Sequence, residues 1–378
     1  MDTDIIIVGG GPVGAALSLA LKDSGLAIAV LEARSGTSSD PRPIALSHGS
    51  RLLLERLGAW PASQATPIHE VHVSQRGAFG RVNMSARDAG VPALGYVIEY
   101  AVIDACIRAA ARDANTRVID GARVSAIHLN GDAHGITYQQ QGVEHTLRAR
   151  LVVVADGGDI AGLTSPKITD YQQHALTARV MTAQPHQHLA YERFTPEGPI
   201  ALLPMREACA LVWTLAPPRA ETLLAADETT FLRELRAAFG GRLGEFTAVT
   251  HRASYPLSLR VYGEPLAGVI PIGNAAQTLH PVAGQGFNLG LRDTWELARL
   301  IRATDVHALN GAELARSFHR RRRIDRGAVV AATHGLVQLF ANDMPLLEAA
   351  RGAGMTLLGS IAPARNYVAR RMIFGARG

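Results

Sequence analysis

Two glycine-rich segments, about 260 residues apart, contain the residue types that bind a dinucleotide. The first covers residues 4–32 and reads DIIIVGGGPVGAALSLALKDSGLAIAVLE, and the second covers residues 273–293 and reads GNAAQTLHPVAGQGFNLGLRD. Glycine lets the backbone come close to a phosphate or a flat ring, because it has no Cβ. Together, the two segments predict that the N-terminal part of the chain and a segment about 260 residues later bind one long dinucleotide between them.

The first segment contains Gly9, Gly11 and Gly14 in the order G-x-G-x-x-G. The first glycine permits a tight turn, the second lets a pyrophosphate approach, and the third lets a helix pack on a strand. Glu32 follows at the distance that suits hydrogen bonds to a ribose 2′-hydroxyl, and its charge would repel a 2′-phosphate. A glycine-rich turn without a ligand is the alternative, but it does not explain the acid.

The elements that must position these residues alternate as in a βαβ unit. The apolar run Ile5 to Val8 predicts a buried parallel strand, and Ala15 to Leu21 predicts a helix whose N-terminus faces the pyrophosphate. Ala27 to Leu31 predicts the second strand. This pattern predicts a nucleotide-binding fold, but it does not distinguish NAD from FAD.

The second segment favours FAD. Gly284 and Gly286 lack side chains where a flat ring could lie, and a helix is predicted from Gln285. The N-terminus of that helix would offer N–H donors and partial positive charge to the N1–C2 edge of an isoalloxazine. Asn274, next to Gly273, is placed to hydrogen-bond a ribityl chain. A loop that only caps the helix is the alternative.

Both segments resemble those of the FAD-dependent aromatic-ring hydroxylase class. The second is most similar to the ubiquinone-biosynthesis branch, in particular to the 2-polyprenyl-6-methoxyphenol hydroxylases, although much of the class has Gly-Asp where this chain has Gly273-Asn274. The run RPIALS, from Arg42 to Ser47, and landmarks along most of residues 1–325 extend the resemblance.

The resemblance implies a monooxygenase that hydroxylates a polyprenylated phenol in ubiquinone biosynthesis through a flavin C4a-hydroperoxide. It implies FAD as cofactor, O2 as co-substrate and NAD(P)H or another donor as reductant. Pro281, Gly284 and Gly286 should flank the reacting edge of the flavin, and His280 is the nearest titratable candidate there. The expected FAD contacts are Gly9, Gly11, Gly14, Glu32, Arg42, Asp156, Gly273, Asn274, Gly284, Gln285, Gly286 and Asn288.

One motif departs from the class. Leu151 to Ala155 predicts a strand and Asp156-Gly157 follows it, but Ile160 and Leu163 stand where the class has Ser and Arg. Two alternatives therefore stay open. One is a flavoprotein of the same fold that acts as a dehydrogenase or on a water-soluble aromatic, and the other is a non-catalytic FAD-binding scaffold subunit of a biosynthetic assembly.

A length of 378 residues predicts two domains. The βαβ pattern, the alternating segments of the middle region and the helical C-terminal stretch indicate the mixed α/β class, with a Rossmann-like FAD-binding domain, an antiparallel-sheet substrate domain and a helical C-terminal region. Short alternating segments in residues 166–265 predict an antiparallel sheet, interrupted by a helix at Glu228 to Phe239. The expected FAD-binding domain comprises residues 1–67, 96–165 and 266–320. The substrate domain comprises residues 68–95 and 166–265, and the C-terminal helical region residues 321–378.

The C-terminal region interleaves arginines, among them Arg320 to Arg323 and Arg326, with apolar runs. Such a pattern suits contact with anionic lipid or with a partner protein of ubiquinone biosynthesis, while a helical cap on the FAD domain is the alternative. Cys106 and Cys209 are expected to be buried and reduced, with no metal site. The first strand begins at residue 4, which argues against a signal peptide, and no apolar run is long enough to span a bilayer. We expect a cytoplasmic protein that binds no nucleic acid, peripheral at most to the inner face of the membrane.

Overall fold

The structure is a computed structural model that describes residues 2–114, 116–131, 133–158, 166–263, 268–305, 309–340 and 345–376. Ile160 and Leu163 lie outside the described residues. The strands are β1 Ile5–Val8, β2 Ile28–Glu32, β3 Pro43–Ser47, β4 Thr66–Ile68, β5 Glu70–Gln75, β6 Arg81–Ser85, β7 Gly95–Glu99, β8 Arg117–Asp120, β9 Arg123–His128, β10 His134–Gln140, β11 Val143–Ala149, β12 Leu151–Val154, β13 Lys167–Thr182, β14 Leu189–Thr195, β15 Gly198–Met205, β16 Ala208–Leu215, β17 Phe246–Val261, β18 Val269–Pro271 and β19 Gln277–Thr278.

Ten helices of four or more residues accompany these strands in the described residues. They are α1 Pro12–Ala20, α2 His48–Arg56, α3 Ala86–Ala89, α4 Tyr100–Asp113, α5 Pro217–Ala225, α6 Glu228–Phe239, α7 Gln285–Arg302, α8 Gly311–Phe340, α9 Pro345–Ser360 and α10 Ala362–Phe374.

A parallel sheet in the order β18-β12-β1-β2-β8 forms the centre of the nucleotide-binding part. Its inner strands are continuous apolar runs, IIIV in β1 and LVVV in β12, because both faces are covered. Helices α1, α4 and α7 cover one face and contribute to its core. The antiparallel strands β9 to β11 cover the other face. The mixed α/β class predicted from the sequence is confirmed.

A second sheet, in the order β19-β17-β13-β16-β15-β14-β5-β6, builds the other large part of the molecule. Helices α5 and α6 pack on one face of it, where Trp213, Phe231 and Leu235 share a buried cluster. The sheet is antiparallel as predicted, except that β14 and β5 pair in parallel. The parallel pair is possible because more than 100 residues, including the strands β7 to β12, separate these two strands in the chain.

The first C-terminal helix, α8, packs on α7 of the nucleotide-binding part through ion pairs. Arg322 is 6% exposed and lies 2.7 Å from Asp293 on α7 and 2.6 Å from Asp325. Arg326 also contacts Asp293, at 3.0 Å. These two arginines therefore anchor α8 on α7, and the expectation that they face lipid or a partner is wrong for both.

The two cysteines differ in burial. Cys209 is buried, as predicted, but Cys106 is only half-buried. Across the described ranges, no helix combines the length and the apolar character that crossing a bilayer requires.

Candidate active site

The turn between β1 and α1 has no room for side chains at two of its glycines. Gly9 has a φ of 99°, and a Cβ there would lie 2.6 Å from backbone atoms of Ala155. A Cβ on Gly14 would lie 1.9 Å from the carbonyl oxygen of Gly9. Among the described residues no side chain caps α1, so its first N–H groups are available to an anion. The turn therefore fits a pyrophosphate.

Glu32 is fixed at the end of β2 by three hydrogen bonds. It is 4% exposed, and its Oε2 accepts from the backbone N–H of Gly10 at 2.7 Å. Its Oε1 accepts from the backbone N–H and from Nε of Arg34, at 2.8 and 3.0 Å. Glu32 and Arg34 both line the cavity that is shared by the two glycine-rich segments, termed the main cavity. The carboxylate is thus held where it can also accept from ribose hydroxyls.

The second glycine-rich segment opens the N-terminus of α7 toward the same cavity. Gly284 caps the helix with a φ of 60°, and within the described chain no side chain caps it. A Cβ added to Gly286 would meet no described atom within 4 Å. The backbone N–H groups of this turn are therefore open to a flat ring, and the absence of a side chain at Gly286 is not required by protein packing.

Asn288 braces this turn from behind. Its Oδ1 accepts from the backbone N–H of Ser47 at 2.8 Å and from the hydroxyl of Ser50 at 2.7 Å. Its Nδ2 donates to the carbonyl oxygens of Ala45 and Gly284, at 3.0 and 2.8 Å. These bonds use the whole hydrogen-bonding capacity of the amide. The Asn288 side chain therefore positions the turn, while its predicted contact with FAD stays a prediction.

Asp293, which the sequence analysis missed, ties the segment to two helices. It is fully buried on α7, and its Oδ2 accepts from the backbone N–H of Gly273 at 3.2 Å and from Gln277 at 3.3 Å. Burial opposes its charge, but Arg326 and Arg322 hold the pKa of Asp293 below its usual value. An acid on the apolar face of the α7 pattern was the available sequence clue, while its partners on α8 are distant in the chain.

His280 lies in the wall of the cavity and is neutral. It is 1% exposed, and burial lowers its pKa to about 4. Its Nδ1 accepts from the backbone N–H of Val282 at 3.1 Å, which places the proton on Nε2. Among the described residues, Nε2 has no hydrogen-bond partner. His280 can therefore donate a hydrogen bond to a bound molecule but is a weak base.

Glu192, also missed from the sequence, is an acidic group on the sheet side of the cavity. Burial raises the pKa of its carboxyl to about 7. It lies on β14 in register with Ala201 on β15 and Val73 on β5, which offer it no polar partner. A single acid in the strand LAYERFT was the available clue in the sequence. At neutral pH this group can accept or release a proton.

Arg42 and Asp156 line the stretch between the two ends. Arg42 pairs with Asp40 at 2.5 Å, and its guanidinium lies 4.8 Å from the ring centre of Tyr255. Asp156 accepts from the backbone N–H of Gly158 at 2.9 Å. Both side chains are positioned by neighbours in sequence or on β17, and both face the cavity.

One cavity of about 740 Å³ connects these groups, from the first turn to the face of the second sheet. Gly14, Gln285 and Asn288 do not line the described part of the cavity. The expected site residues that line it are Gly9, Gly11, Glu32, Arg42, Asp156, Gly273, Asn274, His280, Pro281, Gly284 and Gly286. Its free N–H groups, its fixed acid and its missing side chains fit FAD.

Comparison with known proteins agrees with this geometry. The family model described as an FAD binding domain matches residues 2–332. The ubiquinone hydroxylase UbiL of Rhodospirillum rubrum is 32% identical, covering 97% of this chain and 88% of its own. The 3-demethoxyubiquinol 3-hydroxylase of Escherichia coli is 31% identical, covering 93% of this chain and 94% of its own.

Solved structures share the fold. The p-nitrophenol 4-monooxygenase PnpA of Pseudomonas putida has a TM-score of 0.81 at 18% identity, with 99% of each chain covered. A variant of HpxO from Klebsiella pneumoniae in complex with FAD has a TM-score of 0.78 at 16% identity, with 100% of each chain covered. From the family match, the relatives and the cavity, we conclude that the chain belongs to the FAD-binding family, as an FAD-dependent aromatic monooxygenase of the group that contains the ubiquinone hydroxylases.

Proposed function

We propose that this enzyme hydroxylates the ring of a polyprenylated phenol in ubiquinone biosynthesis. The balanced reaction consumes the phenol, O2, NAD(P)H and a proton, and yields the hydroxylated phenol, water and NAD(P)+. Relatives named ubiquinone hydroxylase and 3-demethoxyubiquinol 3-hydroxylase support the substrate class. Bound FAD would be reduced by the nicotinamide and would then supply the activation of O2 and the transfer of one oxygen atom to the phenol. For this transfer we propose the C4a-hydroperoxide route.

The single observation that carries the proposal is the shape of the main cavity. It continues beyond the turn at Gly284 and Gly286 onto the sheet, where its wall is apolar. The apolar wall consists of Ala190, Ala201, Leu203 and Val212. A phenol placed between this wall and the turn would lie beside the flavin, and a prenyl tail would bury apolar surface along the wall.

Two side chains would act on the phenol in this arrangement. Glu192 would accept the proton of the ring hydroxyl, because a base is most effective when its pKa lies near the working pH. The resulting phenolate is more electron-rich and therefore more reactive toward an electrophilic oxygen. The N–H of His280 would donate a hydrogen bond and would not take up a proton.

The proposal is tested with the FAD-loaded protein, NAD(P)H, isotopically labelled O2 and a short-chain prenylated phenol. We expect a product that gains one labelled oxygen atom by mass spectrometry. Product with unlabelled oxygen, or NAD(P)H oxidation without a product, would point to dehydrogenase chemistry. Slow flavin reduction with every phenol tried would favour a non-catalytic scaffold.

We infer further that the C-terminal helices contact anionic lipid. Since Arg322 and Arg326 are paired with acids, the support comes from exposed apolar side chains instead: Leu357 is 62% exposed and Tyr367 60%. Deleting the region would also remove Phe340 and Ile373 from a buried cluster, so surface substitutions are a cleaner test than a truncation.

We expect Leu357→Ser combined with Tyr367→Ser to reduce sedimentation with anionic vesicles several-fold and to leave FAD content unchanged. Attraction of about 1 kcal/mol per basic residue near an anionic surface sets the scale and should weaken in high salt. Ile168→Ser is the matched control, because Ile168 is 56% exposed on β13. Equal sedimentation of all three proteins would contradict the inference.

A further inference from the structure

A second cavity, of about 940 Å³, lies on the opposite face of the second sheet from the main cavity. Side chains alternate between the two faces of a strand, so Glu192 faces the main cavity and its neighbour Arg193 faces the second one. The wall is built by β5, β6 and β14, by α9 and by the turn after α6. In the described chain, the two cavities have no lining residue in common.

Strand register brings two arginines to this face in one row. Arg193 on β14 pairs with Ser74 on β5, and Ser74 pairs with Arg81 on β6. Residues directly opposite each other in adjacent strands share a face. At roughly 4.8 Å between strands, the two arginine backbones lie about 10 Å apart with the serine between them. Arg242, from the turn after α6, adds a third guanidinium to the same cavity.

The charges of these arginines are not balanced by acids. Within the described part of the chain, none of the three guanidinium groups has a carboxylate partner, and Nε of Arg193 is buried without an acceptor. Burial lowers the pKa of Arg193, and Arg242 and Arg76 lower it further. A cluster of like charges that faces a cavity is stabilised when an anion binds there.

His72, in the next row of the same sheet face, is affected by the positive charge of the three arginines. It is 5% exposed, and its Nδ1 lies 2.5 Å from the side-chain oxygen of Asn83. Burial lowers the pKa of His72, and Arg242, Arg81 and Arg193 each lower it further. The three arginines therefore act on one small region, and they are not dispersed over the surface.

Acids of the cavity lie away from this row. Asp88 is engaged by Arg365 at 3.1 Å, and Glu70 is exposed at the start of β5. Neutral donors complete the wall, among them the hydroxyls of Ser74, Ser85, Thr356 and Ser360. Guanidinium forks together with hydroxyl donors match the tetrahedral oxygens of a phosphate.

We propose that this second cavity binds a phosphate group, held by Arg193, Arg242 and Arg81, with a hydrogen bond from Ser74. The phosphate belongs either to a small phosphorylated compound or to a lipid headgroup. Phe79, which lines the cavity and is 60% exposed, gives the mouth an apolar side. The site lies outside the FAD cavity and does not depend on the identity of the hydroxylated substrate.

The test uses the FAD-loaded protein and two probes, inorganic pyrophosphate in calorimetric titration and vesicles in sedimentation. The vesicles contain phosphatidylcholine alone or phosphatidylcholine and phosphatidylglycerol in equal parts. The variants are Arg193→Gln and Arg242→Gln. Arg233→Gln is the matched control. Arg233 is exposed on α6, and its substitution removes the same charge at a position outside the cavity.

We expect Arg193→Gln and Arg242→Gln to weaken binding of at least one probe about tenfold or more, as for loss of a charge-assisted hydrogen bond, while the control binds as the parent does. Binding of pyrophosphate identifies a free phosphate compound, and binding only of the anionic vesicles identifies a headgroup. Unchanged FAD absorbance and an unchanged thermal midpoint without probe show that a variant is folded. If Arg193→Gln does not fold, the binding test is made with Arg242→Gln alone. If neither probe binds, or if both variants bind as tightly as the control, the proposal is overturned.

Discussion

The two ends of the main cavity are built in different ways. The nucleotide end is shaped by the backbone, since Cβ atoms at Gly9 and Gly14 would collide with main-chain atoms. The sheet end is shaped by side chains, among them Glu192, Ala201 and Leu203, and His280 lies in the adjoining wall. A backbone site binds any ligand with the right phosphate, whereas a side-chain site can be changed residue by residue. This division explains how one fold retains its cofactor while its substrates differ.

The largest effect should come from Gly14→Val at the backbone end. The new Cβ would lie 1.9 Å from the carbonyl oxygen of Gly9, so α1 must move off β1. We expect protein without FAD whose unfolding free energy is lower by about 3 kcal/mol, the upper part of the range for overpacking. Denaturant unfolding and absorbance measure both effects. Gly354→Val is the control, because a Cβ at Gly354 meets no described atom within 4 Å; equal loss in both variants would argue against a specific role of the turn.

Gly286→Ala should separate folding from chemistry where the two ends meet. Because a Cβ at Gly286 meets no described protein atom within 4 Å, stability should change by no more than about 0.5 kcal/mol. The side chain would instead meet the flavin, so we expect yellow protein that releases hydrogen peroxide in place of product. Gly327→Ala on α8 is the control. Hydroxylation by Gly286→Ala at the parent rate would place the flavin elsewhere.

Glu192→Gln tests the sheet end. Loss of a general base should lower the hydroxylation rate about 100-fold at neutral pH, with FAD affinity unchanged. The parent rate should rise with pH through about 7, where the carboxyl ionises, and the variant should lack this step. Glu197→Gln, in the exposed turn after β14, is the control. A variant with the parent pH profile would exclude Glu192 as the base.

Glu32→Ala should have a smaller effect on cofactor binding. Loss of hydrogen bonds to a charged group predicts FAD binding weaker by about 1.5–3 kcal/mol. Since Glu32 also accepts from Gly10, apoprotein stability should be measured alongside the FAD titration. Glu144→Ala, exposed on β11, is the control. Unchanged FAD affinity would show that the ribose assignment is incorrect.

A further expected effect is on stability as a function of pH. Because burial raises the pKa of Glu192 from 4.5 to about 7, the folded protein keeps this proton to higher pH than the unfolded chain does. The unfolding free energy should therefore be greatest below pH 4.5 for this group and fall as pH rises toward 7. Subtracting the denaturation curves of Glu192→Gln from those of the parent isolates this fall, and a flat difference would contradict it.

The difference between features shaped by the local backbone and features shaped by distant side chains also explains what the sequence could predict. The strand Ile5–Val8, the helix Glu228–Phe239 and the start of α7 at Gln285 agree with the predicted bounds, because each depends on local periodicity and glycine placement. Glu192 and the Asp293–Arg322 pair were missed because their meaning depends on partners brought close by the fold. The parallel pairing of β14 with β5 was missed for the same reason.

A crystal structure of the FAD-loaded protein tests the central claim most directly. We predict that electron density for the adenosine lies at Glu32 and that for the isoalloxazine lies against the backbone of Gly284 and Gly286, with its open edge toward Glu192. An isoalloxazine bound away from this turn, or separated from Glu192 by another part of the protein, would contradict the account.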